Sequence, residues 1–248
     1  MSKWAKHPLR AVAAAACLFL AVTLMGTVRP VSLREPGGPA SSPAAEITLR
    51  AYFGALAQAS NLTPEQMGAA GGTVGLGEEP LQTAYSYLGP EWRAAHPFAE
   101  FKAGWRGTAG VELQRLIPAG LQDGGLRYFV ETRNLEITGE KPRPGYFWYS
   151  GFVLMKRAAA GGWVIADQKL SPEELAFKAG GHSPWRGDAE LVARQALGGR
   201  IDAPLGQAKL THNADGTVTV HFSQPGQTGQ GVVLVQRYDG IWTVIRQE

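Results

Sequence analysis

The chain has 248 residues, 44% hydrophobic and 18% charged, which excludes disorder throughout and leaves room for one large or two modest domains. Its formal net charge of +3 is gathered at one end: Lys3, Lys6, Arg10, Arg29 and Arg34 are five of 24 basic residues, and the remaining 19 face 21 acidic ones. The rest is slightly acidic and lacks the basic footprint of a nucleic-acid-binding protein, while the single cysteine, Cys17, can build neither a disulfide nor a metal site.

Ala11 to Val28 carries no charge and is long enough to cross a bilayer as a helix at ~1.5 Å per residue. With Lys3, Lys6 and Arg10 ahead of it, the positive-inside rule predicts a cytoplasmic tail over 1–10, a membrane anchor over 11–28 and everything later outside. A cleaved secretory signal is the alternative, but no clean small-x-small site closely follows Val28. Both readings place the working part outside the cytoplasm, secreted if the segment is cleaved. A lipoprotein reading of Cys17 fails to account for the apolar run continuing to Val28. Residues 29–43, with four prolines, Gly37-Gly38 and Ser41-Ser42, read as a flexible linker.

Ser42-Pro43 reads as a helix start, and Leu49, Tyr52, Phe53 and Leu56 form the apolar stripe of a first long helix. Asn61 to Glu79 is glycine-rich and predicts a loop, with one turn opened by the capping box Thr63-Pro64-Glu65-Gln66. Gly75-Leu76-Gly77 is no dinucleotide fingerprint. Asn61-Leu62-Thr63 matches a glycosylation acceptor, a triplet common by chance. From Tyr85 to Trp105 the chain is crowded with aromatics broken by Leu88-Gly89-Pro90; Phe98, Phe101 and Trp105 fall on one helical face and predict a lid over a sheet.

After Gly107 the period changes to two. Val111-Leu113, Tyr128-Val130-Thr132, Trp148-Phe152-Leu154 and Trp163-Ile165 predict four antiparallel strands, and Ser171-Pro172-Glu173-Glu174 reads as a capping box opening a helix that ends at Gly180-Gly181. A long helix, short helices carrying LGPEW and FKAGW, and a sheet closed by GFVLMKR and GGW resemble the nuclear transport factor 2-like superfamily, the cone-shaped α+β fold shared with ketosteroid isomerases and polyketide cyclases. The resemblance covers about 44–180.

The segment 183–248 reads as an abbreviated copy, one helix plus four strands. Ala45-Glu46-Ile47-Thr48-Leu49-Arg50 recurs as Ala189-Glu190-Leu191-Val192-Ala193-Arg194. Likewise Gly151 to Arg157 is echoed by Gly231 to Arg237, each followed by a glycine turn and a tryptophan, Trp163 or Trp242. Sixty-six residues make a marginal core, so the copy is expected to dock on the first domain or on a partner.

No metal-ligand spacing, nucleophile elbow or phosphate loop is present, and no catalytic residue, metal or cofactor is assigned. The candidate pocket residues are Asp167, His96, Tyr87, Trp92, Trp105 and Trp148. The resemblance implies an acid or base inside the cone; Asp167 shares strand parity with Trp163 and Ile165, though a frayed, solvated strand end or a pair with Lys169 is the commoner outcome. His96, ahead of Pro97, could cap a short helix or face the cone mouth. The aromatics more often build core than a ligand cage.

These features predict a membrane-anchored, extracytoplasmic, non-enzymatic binding or scaffold protein with protein partners in the envelope. An anchor joined to such folds is similar to the extracytoplasmic scaffold subunits of conjugation and type IV secretion machines, from which the shortened second copy departs. One alternative is a small-molecule binder or isomerase- or cyclase-like enzyme using the cone pocket; another is an extracytoplasmic sensory or cell-wall-associated domain.

Overall fold

The first long helix forms where proline fixes the backbone for helix entry. In the computed structural model, which describes residues 40–72, 77–173, 183–198, 206–223 and 229–248, α1 spans Pro43–Gln58. Its stripe of Leu49, Tyr52, Phe53 and Leu56 is buried. Ser42 makes no side-chain cap; its backbone N–H donates instead to the Tyr128 hydroxyl at 3.1 Å, pinning the helix start to the sheet. The predicted capping box of Thr63 and Gln66 has both of its bonds and opens α2, Pro64–Ala69. Three short helices follow: α3 Glu79–Ser86, α4 Pro90–Ala95 and α5 Phe98–Gly104. The expected tail at 1–10, the span at 11–28 and nearly all of the linker lie outside the described residues, and no described helix is long and apolar enough to cross a membrane.

The protein is α+β, with two antiparallel sheets of four strands each. The first comprises β1 Thr108–Gln122, β2 Gly125–Thr138, β3 Arg143–Arg157 and β4 Trp163–Pro172, paired in chain order. Side chains alternate between its faces. Tyr128, Val130, Val153 and Met155 meet α1, α3 and α5 in one core, to which Tyr85, Trp92, Phe98 and Trp105 add their rings. Ser171 and Pro172, the expected start of a helix, lie at the end of β4. They pair with Ser150 and Tyr149, and the Glu173 N–H donates to the Trp148 carbonyl at 2.8 Å, so the β-ladder outcompetes the cap; residues 174–182 lie outside the described residues. At Gly151 the backbone of β4 comes so close that a Cβ would lie 1.9 Å from the Lys169 carbonyl oxygen, which requires glycine there.

The second sheet joins β5 Gln207–His212, β6 Thr217–Ser223, β7 Gln230–Gln236 and β8 Trp242–Gln247, again in chain order. Ahead of it stand a 3₁₀ turn, Pro184–Gly187, and α6, Ala189–Ala196, capped by Asp188. The echoed sequences take matching places. GFVLMKR lies in β3 and GVVLVQ in β7, each the third strand of its sheet. Trp163 and Trp242 begin the fourth strands, and each third–fourth pairing skips the residue three past that tryptophan, Ala166 or Ile245.

In the second sheet both faces of β7 are covered, while β5 is largely exposed. Val218, Val220, Phe222, Val232 and Leu234 pack on α6. Val233, Val235 and Ile245 pack on Ile117, Ala119 and Phe129 of the first sheet, on the face opposite its helices. The expected docking of the second segment thus takes the form of sheet on sheet. A polar joint flanks this seam. Arg115 grips the Glu131 carboxylate with two bonds of 2.7 Å and reaches the Gln236 carbonyl at 2.6 Å. The Tyr238 and Asp239 N–H groups of the β7–β8 turn donate to Glu131 and Glu173, each at 3.0 Å.

Burial, followed by the adjacent Glu131, pushes the Glu173 carboxyl from an ordinary 4.5 up to about 7. A raised folded-state value means that this group's contribution to stability is fully present below pH 4.5 and is lost as the pH rises through about 7. Arg115, Arg237 and Asp239 are the other charged groups at the joint. Across that window the melting midpoint of the wild type is expected to fall relative to Glu173→Gln; parallel curves for the two proteins would contradict the assignment.

Candidate functional site

A cavity of about 290 Å³ lies between the helices and the first sheet, near its β2–β3 end. Trp92 of α4 and Trp105, which caps the C-terminus of α5, supply its helical wall. Strand β2 lends Thr132, Asn134 and Glu136 from alternate positions, and Tyr149 of β3 with Gln168 and Leu170 of β4 complete the sheet wall. The same parity that buries Tyr128 and Val130 therefore turns polar toward the end of β2, which opens a space where the apolar core stops.

The polar groups of this wall hold one another in place. Tyr52, fully buried on α1, donates to Gln168 Oε1 at 3.1 Å, and burial pushes its phenol far above the ordinary range. The Tyr149 phenol is also raised, by burial first and then by the neighbouring Glu136 carboxylate. Asn134 is 4% exposed, yet its Oδ1 finds no partner. Leaving such an acceptor unmet costs about 1–3 kcal/mol unless something entering the cavity satisfies it.

Of the six residues singled out in the sequence, Trp92 and Trp105 line this cavity and four lie elsewhere. Asp167 is exposed, because β4 bulges at Ala166: Leu154 faces Asp167 while Met155 faces Ile165, so one residue is skipped and parity inverts. Gln168 and Leu170 then point where Asp167 and Lys169 had been expected. The Tyr87 carbonyl accepts from the Ile165 N–H at 2.9 Å and the Gly89 N–H donates to the Ile165 carbonyl at 2.7 Å, which anchors the α3–α4 link beside that bulge. Tyr87 itself is half-buried against the core. His96 rests outside the cavity with its ring 4.4 Å from that of Trp92 and its Nδ1 3.3 Å from Glu100. Trp148 belongs to the opposite face. Sequence reasoning missed Asn134 and Glu136, although extending the Tyr128-Val130-Thr132 alternation by two steps reaches both. The Asn61 side chain of the glycosylation triplet donates to the Lys102 carbonyl of α5, tying the start of that loop to the helix.

On the face turned toward the second sheet, Trp148 stacks on Tyr238 with ring centres 3.9 Å apart and planes 6° from parallel. Arg133, the cross-strand partner of Trp148, pairs with Glu112 at 2.6 Å and lies over Tyr146, 4.7 Å from its ring centre. Tyr146 is 54% and Tyr238 47% exposed, so an aromatic strip runs from the β7–β8 turn toward the β2–β3 end of the first sheet. Among the described residues no group of three side chains could hold a metal ion.

The Tyr52–Gln168 bond makes the cavity's β4 wall depend on α1. Tyr52→Phe leaves Gln168 Oε1 without its donor and is expected to cost about 1–3 kcal/mol, read as a lower urea midpoint at unchanged slope. A midpoint equal to wild type would contradict this anchoring. No protein-family model, curated protein or solved structure matches the chain.

Proposed function

We propose that the chain is a membrane-anchored, extracytoplasmic, non-enzymatic interaction module of the cone-shaped nuclear transport factor 2-like class, in which a shortened second copy is fused to the first domain. The observation that carries this reading is the strip of Tyr238, Trp148, Arg133 and Tyr146, in which the two tyrosines are exposed and Trp148 and Arg133 are half-buried between them. Trp, Tyr and Arg are the residue types that dominate binding energy at protein interfaces, because they bury large area at small cost in side-chain freedom. Stacking and pairing hold these side chains in place before any partner arrives, which lowers the entropy lost on binding. The enzyme alternative loses its two nominated polar groups, since Asp167 and His96 both stand outside the cavity.

The test is recovery of partners from solubilised envelope with full-length protein. Arg133→Ala combined with Tyr146→Ala is expected to reduce recovery about tenfold or more, as loss of interface hot spots does, with the melting midpoint little changed. Leu210→Ala, an exposed apolar site on β5, serves as the control and is expected to bind like wild type. Equal recovery with all three proteins would overturn the strip as the partner surface.

A further inference from the structure

We propose that the cavity beneath Trp92 and Trp105 binds a small organic cation, a protonated amine carrying a flat apolar body. The site lies on the helix-covered face of the first sheet, so it is separate from the aromatic strip. Glu136 brings a carboxylate to its wall, and none of the lining residues is Lys, Arg or His. In a partly enclosed space, a carboxylate without a basic counterpart among the lining residues attracts a cation and repels an anion. Trp92, Trp105 and Tyr149 line the same space, and aromatic rings add an attraction for cations that neutral or anionic molecules do not share.

Asn134 narrows the class further. Its orphaned Oδ1 calls for a donor, which an ammonium N–H supplies and a fully methylated ammonium does not. Water alone would meet that acceptor, whereas an ammonium meets it and pairs with the Glu136 carboxylate as well. Leu170 and the two indoles offer apolar contact for the body of the ligand. At about 290 Å³ the space lies at the lower end of the range for small-molecule sites, which suits an amine with a single ring.

Benzylammonium, benzyl alcohol, benzoate and benzyltrimethylammonium share one ring and differ at the charged or donor end. Each is titrated at neutral pH into the full-length protein in detergent micelles, with binding read by saturation-transfer NMR against empty micelles. Benzylammonium is expected to saturate and to bind about tenfold or more tightly than benzyl alcohol, with benzyltrimethylammonium weaker than benzylammonium and no saturable benzoate binding. Glu136→Gln keeps the shape of the side chain and is expected to abolish the preference for the cation. Lack of saturable benzylammonium binding, equal affinity for the alcohol, benzyltrimethylammonium binding as tightly as benzylammonium, saturable benzoate binding, or an unchanged preference in Glu136→Gln would each overturn the proposal. The four-probe comparison on wild type decides even where that variant fails to fold.

Discussion

The packing of the second sheet against the first is the contact on which the rest of the structure depends. A four-stranded sheet needs apolar cover on any face that carries rings and branched side chains. Helices α1, α3 and α5 cover one face of the first sheet; Val233, Val235 and Ile245 cover Phe129 and its neighbours on the other. Neither sheet is therefore complete without the other. The segment after residue 183 is too small to hold a large core of its own, and α6 together with the first sheet supplies what it lacks.

This seam also decides where function can reside. Because the middle of the far face is occupied, its exposed aromatics are confined to the margin, where Tyr238 of the second sheet lies flat on Trp148 of the first. On the helical side, apolar packing fills the centre and gives way toward the end of β2, where Thr132, Asn134 and Glu136 replace the run of Tyr128 and Val130. The joint at Glu131 and Glu173 ties the two sheets through backbone donors of a single turn. Both carboxylates are buried where they accept from that turn, so each bond is costly to lose.

Much of the fold was legible in the sequence. The stripe of α1, the Thr63 capping box and the seven-residue echoes in β3 and β7 rest on local periods and spacings that tertiary structure did not override. What escaped was the facing of side chains. Trp148, Phe152 and Leu154 showed the period of β3, but both faces of that strand carry apolar side chains, so alternation alone cannot say which set meets the helices. A bulge at Ala166 then inverted the parity on which Asp167 had been placed, and nothing in the local residues marks it. At Ser171 and Pro172, where a helix start was expected, the backbone continues β4 because cross-strand partners on β3 are available to it.

Native-state hydrogen exchange in increasing denaturant tests the seam most directly, through the amides of Val220 and Val233 in the second sheet and Val130 in the first. If the sheets form one cooperative unit, all three amides open with the same free energy and the same denaturant dependence, at the level of global unfolding. Exchange of Val220 and Val233 at distinctly lower free energy, with a smaller denaturant slope than Val130, would show a second sheet that opens alone and would contradict the account.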